Sequence, residues 1–235
     1  MRLTKYLLLL GVFGITLTSC EEKTENTMTV SGVIDGLKKG TLYFQKAKDS
    51  TLTTLDSIVI KGDGGFSFSY EIESPELFYL YLDKADNNEI NDRITFFGEP
   101  GDIVINTAWN TFDTNSDISG SKSHIKFAEF QGMLSKFNTR ELELAQEMLP
   151  KENSLTTEQF DSIQNLRQTN LLRRYQYVLN FGLSNPNSYV TPYVTLIEAS
   201  DANPKYLDSI YNALDEKVAN SKYGKRLETY LKGLK

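Results

Sequence analysis

The hydrophobic period of this chain changes once, near Gly120, and that change limits the fold more than any other feature. Upstream, Phe66, Phe68, Tyr70 and Ile72 alternate with Ser67, Ser69, Glu71 and Glu73, the period of two of a strand with one dry and one wet face. Downstream, Phe127, Phe130, Leu134 and Phe137 recur at three and four, the stripe of an amphipathic helix. Further strand candidates are Met28–Asp35, Thr41–Gln45, Leu55–Lys61, Leu77–Leu82, Arg93–Phe97 and Asp102–Thr107. Asp35-Gly36, Gly62–Gly65 and Glu99–Gly101 separate them as turns. Leu77–Leu82 is apolar on both faces and belongs at the centre of a sheet. Short strands so spaced predict an antiparallel β-sandwich or open barrel over residues 28–120. A helical region over 121–235 follows, so the class is α+β.

Within the helical region, Pro150 closes the first helix and Thr156 with Gln159 fits a capping box for the next. The second half of that helix carries Leu172, Tyr175, Leu179 and Leu183 on one face. Asn185-Pro186 breaks it, and Tyr189–Ala199 reads as a shorter helix. Asn203-Pro204 starts another, running through Val218, and Lys222–Leu234 makes the last. Neither an internal repeat nor a low-complexity segment interrupts this order.

The N-terminus carries an address. Arg2 and Lys5 form a positive head, Tyr6–Leu17 an apolar core, and Thr18-Ser19 a small pair before Cys20, the only cysteine. This is the order of a secretory signal, and the apolar run is too short for a bilayer span, which needs about 20 residues. The pattern resembles the lipobox of bacterial lipoproteins, in which the chain is cut before the cysteine and that cysteine is acylated. The expectation is a signal peptide over 1–19, lipidation on Cys20 and a polar tether over 20–27. With Cys20 acylated no thiol remains for a disulfide, a Cys-x-x-Cys pair, a nucleophile or a cysteine zinc site. A net charge of −6 opposes nucleic acid, whose phosphates need a basic face, and leaves membrane attachment to the acyl chains.

No cluster of side chains spells a reaction. Asp83–Asp92 is rich in oxygen ligands, but it lacks the glycine and distal glutamate of a calcium loop, so a solvated hairpin loop is expected. His124, the only histidine, lies beside Ser121 and Ser123. No Gly-x-Ser-x-Gly elbow accompanies it, so Ser121 or Ser123 reads as a helix cap rather than a nucleophile. Ser123 to Lys126 and Ser119 to Lys122 both match Ser-x-x-Lys, without the companion motifs that give it meaning. Gly36–Thr41 has the wrong spacing for a phosphate loop and reads as a β-hairpin turn. Arg173, Arg174, Lys222, Lys225 and Arg226 read as exposed helix faces. Glu141 and Glu143 point to opposite sides of their helix. Trp109 is expected to pack over a sheet end, with sugar or peptide stacking as the alternative. No metal, cofactor or catalytic residue is expected.

The order of segments adds a resemblance. Asp56–Ile60, Gly64–Phe68, Pro75–Leu80, Ile94–Phe97, Pro100–Ile105 and Ile118–Ser121 are similar to the uncharacterised N-terminal domain of exported thiol–disulfide oxidoreductases of Bacteroidota. In those proteins a thioredoxin-like domain follows, and Asn185–Val190 and Asn220–Leu227 are similar to segments that precede it. No position here matches the Cys-x-x-Cys motif of that domain, so the resemblance carries no redox activity over. The expected function is a non-catalytic envelope lipoprotein that binds or interacts with a protein partner. Two alternatives stay open: an accessory partner in trans of a thioredoxin-like oxidoreductase, and a hydrolase working with carboxylates alone. Glu21 after the cysteine points to the outer membrane facing the periplasm, and the acidic Glu21-Glu22 leaves the cell surface as the other location.

Overall fold

A computed structural model describes residues 25–48, 51–84, 92–149 and 155–234. The first strands are β1 (Thr27–Asp35), β2 (Lys39–Lys48), β3 (Thr51–Lys61) and β4 (Gly65–Glu71). They are followed by β5 (Glu76–Asp83), β6 (Asp92–Gly98), β7 (Gly101–Ala108) and β8 (Asp117–Ser119). They form two four-stranded sheets, ordered β4-β1-β7-β8 and β3-β2-β5-β6, and this is a sandwich rather than a barrel. One pair departs from the antiparallel expectation: β1 and β7 run parallel, with Met28 opposite Gly101 and Ile34 opposite Thr107. β7 reaches the first sheet by crossing from β6 of the second, and a period of two says nothing about the direction of pairing.

The inner faces supply the first core. Phe44 lies at its centre, with ring centroids 5.3 Å from Phe78 and 5.4 Å from Phe68, and Val30, Ile103 and Ile105 are fully buried around it. β5 is central, as its composition requires. Phe78, Leu80 and Leu82 face this core, while Leu77 faces the other way.

The helices are α1 (Lys122–Glu147), α2 (Thr157–Ser184), α3 (Val190–Glu198), α4 (Pro204–Ala213), α5 (Glu216–Ala219) and α6 (Lys222–Gly233). The Thr156–Gln159 capping box is formed in both directions, and Asn203 Oδ1 accepts from Lys205 N at 3.0 Å. α1 ends at Glu147, and Pro150 lies outside the described residues. Two expectations are corrected. The α4 helix stops at Ala213 because Leu214 is extended and Asp215 N–H turns to Pro186 O at 3.1 Å, a tertiary contact with no local signal. In α2 the buried stripe is Val178, Phe181 and Gly182, whereas Leu172 and Leu183 are exposed. Both stripes are apolar in this half, so spacing alone could not choose between them.

The helices stand on the outer face of the second sheet. Phe97, fully buried, meets Phe127 at 6.0 Å, Tyr193 at 6.1 Å and Tyr223 at 6.0 Å. Leu77 and Phe97 thereby belong to the helical core, although they sit on sandwich strands.

Candidate functional site

The start of α1 collects the residues that a hydrolase reading would need, and the fold employs each of them otherwise. Ser121 Oγ accepts from His124 N at 2.9 Å and donates to Phe97 O at 2.7 Å, which makes it the helix cap. Glu99 receives Lys122 N at 2.5 Å and Ser123 Oγ at 2.5 Å, an acid against the positive end of the helix. His124 Nδ1 accepts from Phe97 N at 3.4 Å, and burial lowers its pKa below the usual histidine value. The imidazole Nδ1 faces a backbone amide, and the Ser121 and Ser123 hydroxyls donate to Phe97 O and Glu99. Lys126 pairs with Glu129 at 2.6 Å instead of with Ser123.

A polar cleft of about 310 Å³ lies where the sandwich meets α6. Its buried member is Glu76, held by Lys222 and by Lys46 at 3.6 Å. Lys46 also donates to Tyr70 Oη at 2.7 Å. Burial pulls the Lys46 ammonium down, but the Tyr70 hydrogen bond and the Glu76 charge outweigh it and hold the pKa above the usual lysine value. Tyr223 Oη accepts from Leu77 N at 3.3 Å, and burial pushes its phenol pKa up. Glu71 and Glu73 line the same cleft, and Glu76 itself is engaged by two ammoniums. Lys222 is therefore a buried-pair partner, correcting its reading as an exposed helix face; Lys225 and Arg226 are exposed.

α1 and α2 form an antiparallel hairpin whose seam repeats in heptads: Phe130, Leu134, Phe137, Glu141, Leu144 and Met148 against Ile163, Arg167, Asn170, Arg174, Tyr177 and Phe181. The middle of the seam is polar. Arg167 Nε donates to Glu141 at 2.7 Å, Asn170 Nδ2 to Phe137 O at 3.0 Å, and Arg174 pairs with Glu198 of α3. Arg174 is thus half-buried and paired, a second correction, while Arg173 is exposed. Glu143 faces away and pairs with Arg140 at 2.9 Å, as the spacing required.

Beside this polar segment runs a groove of about 420 Å³, floored by Phe137 and Arg167 and walled by Asn138, Gln164 and Leu171. Leu142 lies on the same side of α1 as Asn138, four residues and about 40° further round the helix, and Leu149 follows the helix end at Glu147. Phe160 lies on the matching side of α2, about three turns from Leu171. All four large side chains are exposed: Leu142 59%, Leu149 61%, Phe160 43% and Leu171 43%. Further along this side Gly182 receives Ile210 of α4, where a Cβ would come within 2.8 Å of its Cδ1. α4 therefore covers one end of this side, while Leu142, Phe160 and Leu171 stay exposed toward the other, interspersed with the polar Asn138, Gln164 and Gln168. The heptads were present in the sequence, but only pairing the two helices shows which leucines share a side.

Trp109 follows β7 in a 3-10 turn and packs against Gly36, as expected of a residue over a sheet end. The Gly36–Thr41 segment is no hairpin turn. It carries the chain from β1 in one sheet to β2 in the other, and no helix follows it. Cys20 and the body of Asp83–Asp92 lie outside the described residues. Among the described residues, no cluster of three His, Cys, Asp or Glu could hold a metal ion, and no helix is long and apolar enough to cross a membrane. Residues 28–127 match the family model described as "Domain of unknown function (DUF4369)". No curated protein and no solved structure matches the chain.

Proposed function

We propose that this protein is a non-catalytic, lipid-anchored interaction module of the bacterial envelope, held at the outer membrane through acyl chains on Cys20. The open side of the α1–α2 hairpin receives an amphipathic helix of a protein partner. The carrying observation is the exposure of Leu142, Phe160 and Leu171 on one side of the hairpin, the side on which Gly182 receives Ile210 of α4. A helix laid there completes a three-helix layer by the same packing that seats α4. The engagement of His124, Ser121, Ser123 and Glu76 in structural contacts supports a binding role over a hydrolytic one.

A photo-crosslinking residue placed at Leu142 or Leu171 in cells should form a discrete adduct with a second protein, and the same residue at Arg173 should not. Leu142→Asp with Leu171→Asp should remove the adduct formed from Gln164 while leaving the thermal midpoint of this exposed surface nearly unchanged. Equal labelling from Arg173, or no adduct from the strip, would contradict the reading.

A further inference from the structure

The sandwich has a far end. β1 begins at Thr27, where the tether enters, and its nine residues at about 3.3 Å each carry the chain roughly 30 Å to Asp35. β7 runs parallel to it and ends at Ala108, opposite Asp35. Gly36, Trp109, the start of β2 and the end of β5 therefore converge on the end opposite the tether, where loops of a sandwich gather and carry binding residues.

At that end lies a shallow groove of about 210 Å³, lined by Gly36, Leu37, Lys38, Lys39, Lys84 and Trp109. Trp109 is the only tryptophan and stays 45% exposed, although burying it would be worth more to the fold. Its indole is nonetheless fixed. Gly36 has φ +75°, and a Cβ there would come within 2.7 Å of the indole Cδ1, so glycine lets the ring lie on bare backbone. A plate already held in place costs little ordering when something stacks on it.

The charge of the groove runs against the charge of the molecule. Among the described residues, three lysines and no carboxylate line it, in a chain of net charge −6. The adjacent strand pair places Lys39 directly opposite Lys61, a like-charge pairing that weakens a sheet unless an anion lies between. Asp35 ends β1 and Asp83 ends β5 without lining the groove, and Asp63 Oδ1 accepts from Gly65 N at 3.2 Å. The Lys84 ammonium sits over the indole, 5.7 Å from its centroid, and both line the groove.

We propose that this groove binds one residue of an acidic saccharide. The C–H face of a pyranose ring stacks on Trp109, where the negative π-face attracts the weakly positive hydrogens. The ring carboxylate lies against Lys38 and Lys39. The volume suits a single ring, and the open sides let a polymer continue in both directions. This site is independent of the helical strip and does not require a protein partner.

The sole tryptophan is its own reporter. The full chain in detergent is titrated with a galacturonic-acid trimer, with the matching neutral galactose trimer and with inorganic phosphate, following Trp109 emission. The acidic trimer should give a saturable shift, and the neutral trimer and phosphate should each bind at least about tenfold more weakly. Lys38→Glu with Lys39→Glu should weaken the acidic trimer by about tenfold or more, and added salt should act in the same direction. Calorimetry on Trp109→Phe should show a comparable loss. A flat titration, equal affinity for the neutral trimer, equal affinity for phosphate, or unchanged binding in the lysine variant would overturn the proposal.

Discussion

Replacing Phe97 with alanine should remove about 4 kcal/mol of unfolding free energy, the scale on which a large buried ring leaves a cavity. Phe97 is fully buried on the outer face of the second sheet, and its ring meets one aromatic from each of α1, α3 and α6. Its backbone is occupied too, donating to His124 Nδ1 at 3.4 Å and accepting from Ser121 Oγ at 2.7 Å. Alanine keeps those backbone bonds and deletes only the ring, so the cost isolates the packing between sheet and helices. Urea unfolding can follow the helices by far-ultraviolet dichroism and the far end of the sandwich by Trp109 emission. The two transitions should coincide in the wild type, because one residue sits in the helical core while its neighbours Phe96 and Phe78 build the sandwich core. In Phe97→Ala the helical transition should move to lower urea than the tryptophan one. Phe44→Ala, a ring at the centre of the sandwich core, should cost a similar amount with the sandwich signal leading. A loss below about 1 kcal/mol for Phe97→Ala would show that the two layers do not depend on this contact.

Glu76→Ala should cost about 2–3 kcal/mol, because it removes the carboxylate that pairs directly with both Lys46 and Lys222. The figure sits below the range for fully buried pairs, since the lysine side chains retain 26% and 33% of their exposure and water screens them in part. Glu76→Gln should lose less, as the amide oxygen still accepts. Changing all three together, with Lys46→Met, Glu76→Leu and Lys222→Met, should recover most of the loss, because the desolvation of three charges disappears with their attraction. Urea midpoints of the four proteins test this. If the single and triple variants are equally destabilised, apolar packing rather than charge accounts for the junction.

Much of the architecture was readable from the residues, and the exceptions have identifiable causes. Period two located strands such as β4 that have a wet side, and the unbroken apolar run of Leu77–Leu82 located β5; β8 has only three residues, too few to show a period. The direction of the β1–β7 pair depends on which sheet the chain has just left, and no local pattern records that. Ser121, Thr156 and Asn203 were legible as caps, since capping depends on neighbours three residues away at most. Lys222 and Glu76 were not paired in advance, because 146 positions separate them. Arg174 was misread for the same reason, its partner Glu198 lying on another helix. Trp109 was visible as a candidate stacking residue, but the lysines around it come from two other parts of the chain, the β1–β2 crossing and the end of β5, that only the fold brings to it.

An interaction module presented from a membrane depends first on its attachment, and intact-mass measurement of the protein purified from cell envelopes addresses that directly. The account predicts a chain beginning at Cys20 and heavier than its sequence by the mass of two or three acyl chains. A chain still carrying residues 1–19 with an unmodified Cys20 thiol would contradict it.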